Sequence, residues 1–303
     1  KPIGIWLVMW PMLWSLWIAS EGQVSIKILL IFLSGTVIMR SAGCVLNDFA
    51  DRKIDPHVKR TQNRPIASGK VSEKEAIILF IILMSLAFTL IFFLNLTTKF
   101  FAIGGALVTV IYPFAKRVLS APQLVLGIAF GWGVPMAFAA EIGHVPLLGW
   151  LIFFIAIIWA LIYDTYYAMV DRDDDLNLGV RSTAILFGRY DLFIIGLLQC
   201  SMLVLLFFMA QLAALGMWVY SAIMISMLIM IYHQWLTKEK DREHNFQNAK
   251  IFLRTSEIFP IRHRTLFPKR KFSNYEKFKS LYEKKSKTKC LKSLIVLICI
   301  EKI

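Results

Sequence analysis

Carboxylates are scarce in the first 236 residues of this 303-residue chain, and most of them fall in two short stretches. The first reads Asn47-Asp48-Phe-Ala-Asp51-Arg-Lys-Ile-Asp55. The second runs Asp164-Thr-Tyr-Tyr-Ala-Met-Val-Asp171-Arg-Asp173-Asp174-Asp175. On a continuing helix Asn47, Asp51 and Asp55 share one face, and Asp164, Tyr167, Asp171 and Asp175 share another. Carboxylates packed this closely repel one another unless a cation neutralises them. Hard oxygen donors at such spacing suit Mg²⁺, which keeps several waters and binds through one or two carboxylates together with substrate phosphates. Cations that suit the remaining phosphate oxygens stand nearby: Arg64 in Asn63-Arg64-Pro65, and Lys116-Arg117 after Tyr112-Pro113. The constellation implies a diphosphate ester held where two helix ends meet. A lone Asp-x-x-x-Asp would read as a solvated helix rim, and Lys116 and Arg117 taken alone serve equally well as a topology signal. Two clusters in a body this poor in charge favour a site. His57, His144 and His233 lack metal-ligand spacing and read as loop or packing residues.

The elements that must position these residues are membrane helices. Hydrophobic residues make up 57% of the chain, aromatic residues 14% and charged residues 18%. Soluble globular chains carry about 45–50% apolar and about 25% charged residues. An ordinary soluble enzyme and a disordered regulator are thereby excluded, and four cysteines without short spacing make no disulfide framework. Crossing the hydrocarbon core takes about 20 apolar residues. Such runs occur at Ile3–Ser20, Val24–Leu46, Ala76–Leu96, Phe100–Ala115, Gln123–Ala140, Pro146–Tyr163, Leu192–Leu212 and Leu215–Leu236. The expected class is all-α, a multi-pass transmembrane bundle with eight clear spans. If the spans alternate, both acidic clusters and nearly all loop Lys and Arg lie on one side, which the positive-inside rule makes cytoplasmic. The net charge of +14 is a tail property, since beyond residue 236 there are 18 Lys and Arg against 7 acidic residues. Ile3–Ser20 is too rich in aromatic residues and Met, and too close to a second span, for a secretory signal. The first residue is Lys1 rather than Met, so some N-terminal sequence is expected to be missing.

At these motifs the chain resembles the UbiA superfamily of intramembrane prenyltransferases, and within it the branch whose acceptor is 4-hydroxybenzoate. The first motif, Asn-Asp-x-x-Asp-x-x-x-Asp, is met by Asn47, Asp48, Asp51 and Asp55. The second is met by Asp164, Tyr167, Ala168, Asp171 and Asp175. KPIGIWLVMWP, YPFAKR and RSTAILFG are similar to that branch as well. The resemblance implies nine transmembrane helices around a cavity open to lipid, with Mg²⁺ bound by Asp51, Asp55, Asp171 and Asp175. It implies transfer from polyprenyl diphosphate to 4-hydroxybenzoate, an early step toward ubiquinone. Asn47 and Asp48 would support the metal, while Arg64, Lys116 and Arg117 would meet the diphosphate, with Tyr112 beside them. Asp164 would orient the phenol or accept a proton, and Arg40, a lone cation within the second span, would meet the acceptor's carboxylate.

The likeness stops after about residue 248. A ninth apolar span is expected there, but residues 251–289 are basic and polar, and Leu291–Ile300 is about half the length needed. The chain therefore divides into a prenyltransferase unit, 1–236, and a basic tail, 237–303. The tail reads either as a lipid-attracting segment or, as the abrupt break favours, as a frameshifted end. Competing readings are a sister enzyme acting on homogentisate, a naphthoate or haem, an inactive remnant, and a transporter. The transporter reading requires acids near mid-span. A bacterial inner membrane is expected, with a mitochondrial inner membrane equally compatible with the composition.

Overall fold

The computed structural model describes residues 3–58, 61–213 and 215–237. Its regular structure is helical throughout: α1 (Ile3–Ala19), α2 (Ile26–Ala50), α3 (Glu73–Ile91), α4 (Leu96–Val118), α5 (Pro122–Gly131), α6 (Gly133–Ile142), α7 (Leu147–Leu178), α8 (Thr183–Phe187), α9 (Asp191–Leu212) and α10 (Met217–Thr237). Helices α5 and α6 form one membrane span, Pro122–Ile142, interrupted at Trp132. Pro135 lacks the amide that would bond back to Gly131, which permits the break. All eight expected spans are helices. Seven are long and apolar enough to cross a bilayer, and Gly4–Ala19 is a shorter apolar helix. The ninth span expected of the family falls outside the described residues.

Local sequence sets the helix starts. The Ser72 hydroxyl accepts the Glu75 amide while Glu75 Oε2 accepts the Ser72 amide, a reciprocal cap that opens α3. Asn95 Oδ1 caps α4 through the Thr98 amide, and Asn95 Nδ2 donates to the Ala139 carbonyl at 2.7 Å. One side chain thus starts α4 and fixes it to the end of α6.

The interior is built on α7, which packs against α5, α6, α8 and α9, while α1 lies on α6 and α2 pairs with α3. Phe138, Ile152, Ile162 and Ile195 are fully buried in this interior, with Met12 and Leu16 in a second cluster around α1. Peripheral α3 instead turns Ile78, Ile81 and Phe88 outward, each more than half exposed. So much contiguous apolar surface is a lipid-facing surface. Hydrogen bonds tie one end of the bundle together. Arg117 donates to the Ala50 carbonyl, Arg181 to that of Val118, and the Thr183 amide to Gln123 Oε1. The ends of α2 and α4 thereby meet the starts of α5 and α8, at the end where α7 carries its acidic extension.

Candidate active site

The first acidic motif leaves its helix earlier than the sequence suggests. Helix α2 stops at Ala50 with Asp51 as its C-cap, and Asp55 opens a separate 3₁₀ turn, Asp55–His57. Pro56 has no amide to bond back to the Arg52 carbonyl, so an α-helix carried past Asp55 would lose a hydrogen bond there. The four-residue stacking survives nonetheless. The Asp51 amide bonds to the Asn47 carbonyl and the Asp55 amide to that of Asp51, both at 2.9 Å. Asp51 and Asp55 are each only 4% exposed, and burial of that degree demands compensating charge. Arg64 supplies part of it, with Nη1 3.0 Å from Asp48 Oδ1 and 2.9 Å from Asp55 Oδ2. Thr61 Oγ1 donates to the Asp55 carbonyl and fixes the turn. Asn47 Oδ1 is buried with no hydrogen-bond partner, a hard oxygen with its lone pairs uncommitted.

The second motif behaves as its spacing predicts. Helix α7 runs 32 residues, well past the apolar stretch, so Asp164, Asp171 and Asp175 occupy one continuous helix. It ends at Gly179, whose φ of 67° is the left-handed cap that glycine adopts without strain. Asp171 is buried, and Asp175 lines an open groove of about 310 Å³ with Ser120, Arg181 and Ser182. Arg181 was not among the residues expected at the site. Its sequence signals are its place two residues beyond the glycine cap of the acidic helix and at the head of RSTAILFG.

Of the expected cations, Arg64 reaches the first motif directly. Arg117 is exposed and bonds the Ala50 carbonyl beside Asp51, so it too sits at that motif. The backbone of Lys116 continues α4, but its side chain falls outside those described.

A second tier lies deeper in the membrane. Arg40 and Asp164 each stand seven residues before a motif residue on the same helix, Asn47 and Asp171 respectively, two turns or about 10 Å along the axis. They meet around buried Tyr163, which is within electrostatic range of Arg40, Tyr112, Asp164 and Tyr167. The Arg40 guanidinium lies 5.3 Å from the Phe130 ring centroid, while the Tyr163 ring packs on Phe130 at 6.0 Å and on Trp159 at 5.2 Å. Arg40 Nε also donates to the Gly4 carbonyl at 3.3 Å, and its Nη1 lies 3.1 Å from Cys44 Sγ. The arrangement can therefore place polyanionic chemistry at the membrane surface and a cation, a carboxylate and phenol hydroxyls among aromatic rings two turns below. Phe130, Trp159 and Tyr163 were not distinguishable in the sequence from the many aromatic packing residues.

Among the described residues, no three His, Cys, Asp or Glu side chains come together closely enough to cage a metal unaided. That suits a cation that completes its shell with substrate phosphates and water, as Mg²⁺ does. The donors present, carboxylates and the uncommitted Asn47 oxygen, are of the hard type it prefers.

Comparison with known proteins places the chain in a family. A 4-hydroxybenzoate octaprenyltransferase of Coxiella burnetii is 51% identical over 261 residues, which are 84% of this chain and 91% of that protein. The apo structure of a UbiA homolog from Aeropyrum pernix superposes with a TM-score of 0.68 at 24% identity, covering 83% of this chain and 96% of that one. A UbiA homolog from Archaeoglobus fulgidus, bound to GPP and Mg²⁺, gives 0.62 at 14% identity, covering 85% and 98%. The model of the UbiA prenyltransferase family matches residues 8–255. With a match over most of its length and seven helices able to span a bilayer, this multi-pass integral membrane protein belongs to the UbiA prenyltransferase family.

Proposed function

We propose that this chain transfers a polyprenyl group from polyprenyl diphosphate to carbon 3 of 4-hydroxybenzoate. The allylic C–O bond breaks, a C–C bond forms ortho to the phenol, diphosphate departs and the ring carbon loses its proton. The two-tier arrangement carries this reading, because it separates a diphosphate-binding rim from an acceptor pocket by about two helical turns.

Asp51, Asp55, Asp171 and Asp175 would hold Mg²⁺, with Asn47 Oδ1 and Asp48 in support. When bound, the metal supplies positive charge against which a diphosphate can leave. Arg64, Arg117 and Lys116 neutralise the phosphate oxygens the metal does not cover. In the lower tier Arg40 takes the acceptor's carboxylate, Asp164 takes up the proton released by the ring or orients the phenol, and Tyr112 closes the pocket beside Tyr163. The faces of Phe130, Trp159 and Tyr163 favour an allylic cation and keep water from it. The names of the relatives support the acceptor, and the Mg²⁺ and GPP of the Archaeoglobus structure support the metal and donor. Residues 1–236 form the catalytic unit in this reading, with the site on the cytoplasmic side of a bacterial inner membrane.

The test is prenyl transfer in membranes carrying the chain, with 4-hydroxybenzoate, a polyprenyl diphosphate and Mg²⁺. Metal-dependent product is expected, and Asp51→Asn or Asp171→Asn should each lower the rate by about 10²-fold or more. Product with homogentisate but none with 4-hydroxybenzoate would overturn the acceptor, and undiminished activity in both variants would overturn the site.

A further inference from the structure

The second acidic stretch contains a cation of its own. In Asp171-Arg172-Asp173-Asp174-Asp175 the guanidinium is three residues before Asp175, a spacing at which side chains on a helix are neighbours. The first motif shows what a guanidinium does beside such carboxylates, since Arg64 lies on both Asp48 and Asp55. Arg172 is instead drawn off α7. Its Nη2 pairs with Asp191 Oδ2, at the first residue of α9 and 19 residues away in sequence. Asp191 is completely buried, and its other oxygen accepts the Leu192 amide at 2.6 Å, so its position is fixed by its own helix. Arg172 Nε is buried without an acceptor, so the pairing draws it away although one of its donors goes unsatisfied.

We infer that Asp191 is a positioning residue that sequesters the Arg172 guanidinium on α9, keeping a competing cation off the Asp175 carboxylate. This rests on the reading of that carboxylate as a metal ligand. It assigns a role to Asp191, which lies outside both acidic motifs. A bracing role and a sequestering role differ in one respect. If Asp191 only braces α7, deleting Arg172 as well cannot help. If it sequesters, the freed arginine is the harmful agent, and removing it repairs the defect.

The experiment measures Mn²⁺ binding to the full-length chain by electron paramagnetic resonance, with a non-reacting prenyl thiodiphosphate present. Transfer to 4-hydroxybenzoate is assayed alongside. Asp191→Asn is expected to weaken Mn²⁺ binding about tenfold, and Arg172→Gln in the same chain to return it to within about threefold of the unmodified protein. Arg172→Gln alone should bind Mn²⁺ at least as tightly as the unmodified chain, and this arm decides the matter should Asp191→Asn not accumulate. Equally weak binding by Asp191→Asn and the double variant, or unaltered binding by Asp191→Asn, overturns the inference. Absence of transfer by the unmodified chain, with Mn²⁺ binding intact, overturns the acceptor reading and leaves this comparison standing.

Discussion

An arginine inside a membrane helix needs partners within the protein. Arg40 bonds the Gly4 carbonyl, approaches the Cys44 sulfur and lies against the Phe130 ring. These partners are neutral, and an aromatic carboxylate would give the same fork a bidentate anionic one. Hydrogen bonds to charged groups contribute about 1.5–3 kcal/mol. Arg40→Ala should therefore raise the KM for 4-hydroxybenzoate at least about tenfold while leaving the donor KM within about twofold. Equal increases in both would mark Arg40 as a packing residue that tethers α1 to α2. Arg40 stood out in the sequence because a lone charge in an apolar run is costly, and Asp164 because it heads the second acidic cluster. Tyr163 and Asp191 did not. Nothing in a run of aromatic residues distinguishes the ring that lies near Arg40 and Asp164, and the Arg172–Asp191 pair exists only because α9 folds back beside the end of α7.

Between elements, α5 and α7 approach each other backbone to backbone. A Cβ placed on Gly127 would lie 2.9 Å from the Ile157 carbonyl oxygen and 3.2 Å from its Cα, so the two backbones meet without a side chain between them. In a membrane, where helices gain little hydrophobic energy by associating, such small-residue contacts supply the packing. Backbone cannot yield as a side-chain tip can. Gly127→Ala should thus force the helices apart at a cost of about 1–3 kcal/mol, seen as a lower thermal midpoint in detergent. A midpoint equal to that of the unmodified chain would show that α5 slides freely on α7. The consequence reaches the chemistry, because Phe130 and Tyr163 stand one to two turns beyond this contact on the two helices. The sequence displays the helices themselves plainly, since eight apolar runs become eight helical spans. It is less informative about where they end. The acidic end of α7 stays helical because no residue interrupts it before Gly179, whereas α2 ends at Ala50 and Pro56 cannot donate the bond that would carry an α-helix past Asp55. The break at Trp132 was not anticipated, although Pro135, which lacks the amide that would bond back to Gly131, is its signal in the run.

At the scale of the molecule, the outer surface is lipid-facing and chemistry is confined to one end. Half of the α5–α6 and α7 spans is buried in the protein, against 6% of α3, so the bundle has a protected centre and a wetted-by-lipid rim. Charge is partitioned along the axis as well as across it. Arg52, Arg64, Arg117, Arg172, Arg181 and Arg189 belong to the end with the acidic motifs, while the opposite turns carry Lys27 and Lys99. Basic loops resist translocation, so this asymmetry supports the proposed orientation, with the site-bearing end on the cytoplasmic side. That orientation is proposed from sequence alone, because it depends on counting charges in loops and hardly on packing. It is also testable without activity. With the four native cysteines replaced, a cysteine at Gln62 should react with a membrane-impermeant maleimide only after intact cells are opened. One at His144, in the turn between α6 and α7, should react at once. Both positions are exposed loop sites, so accessibility within the fold is not limiting. The reverse pattern would put the diphosphate site on the outer face, where a donor made in the cytoplasm could not reach it, and the proposed reaction would fail with the topology.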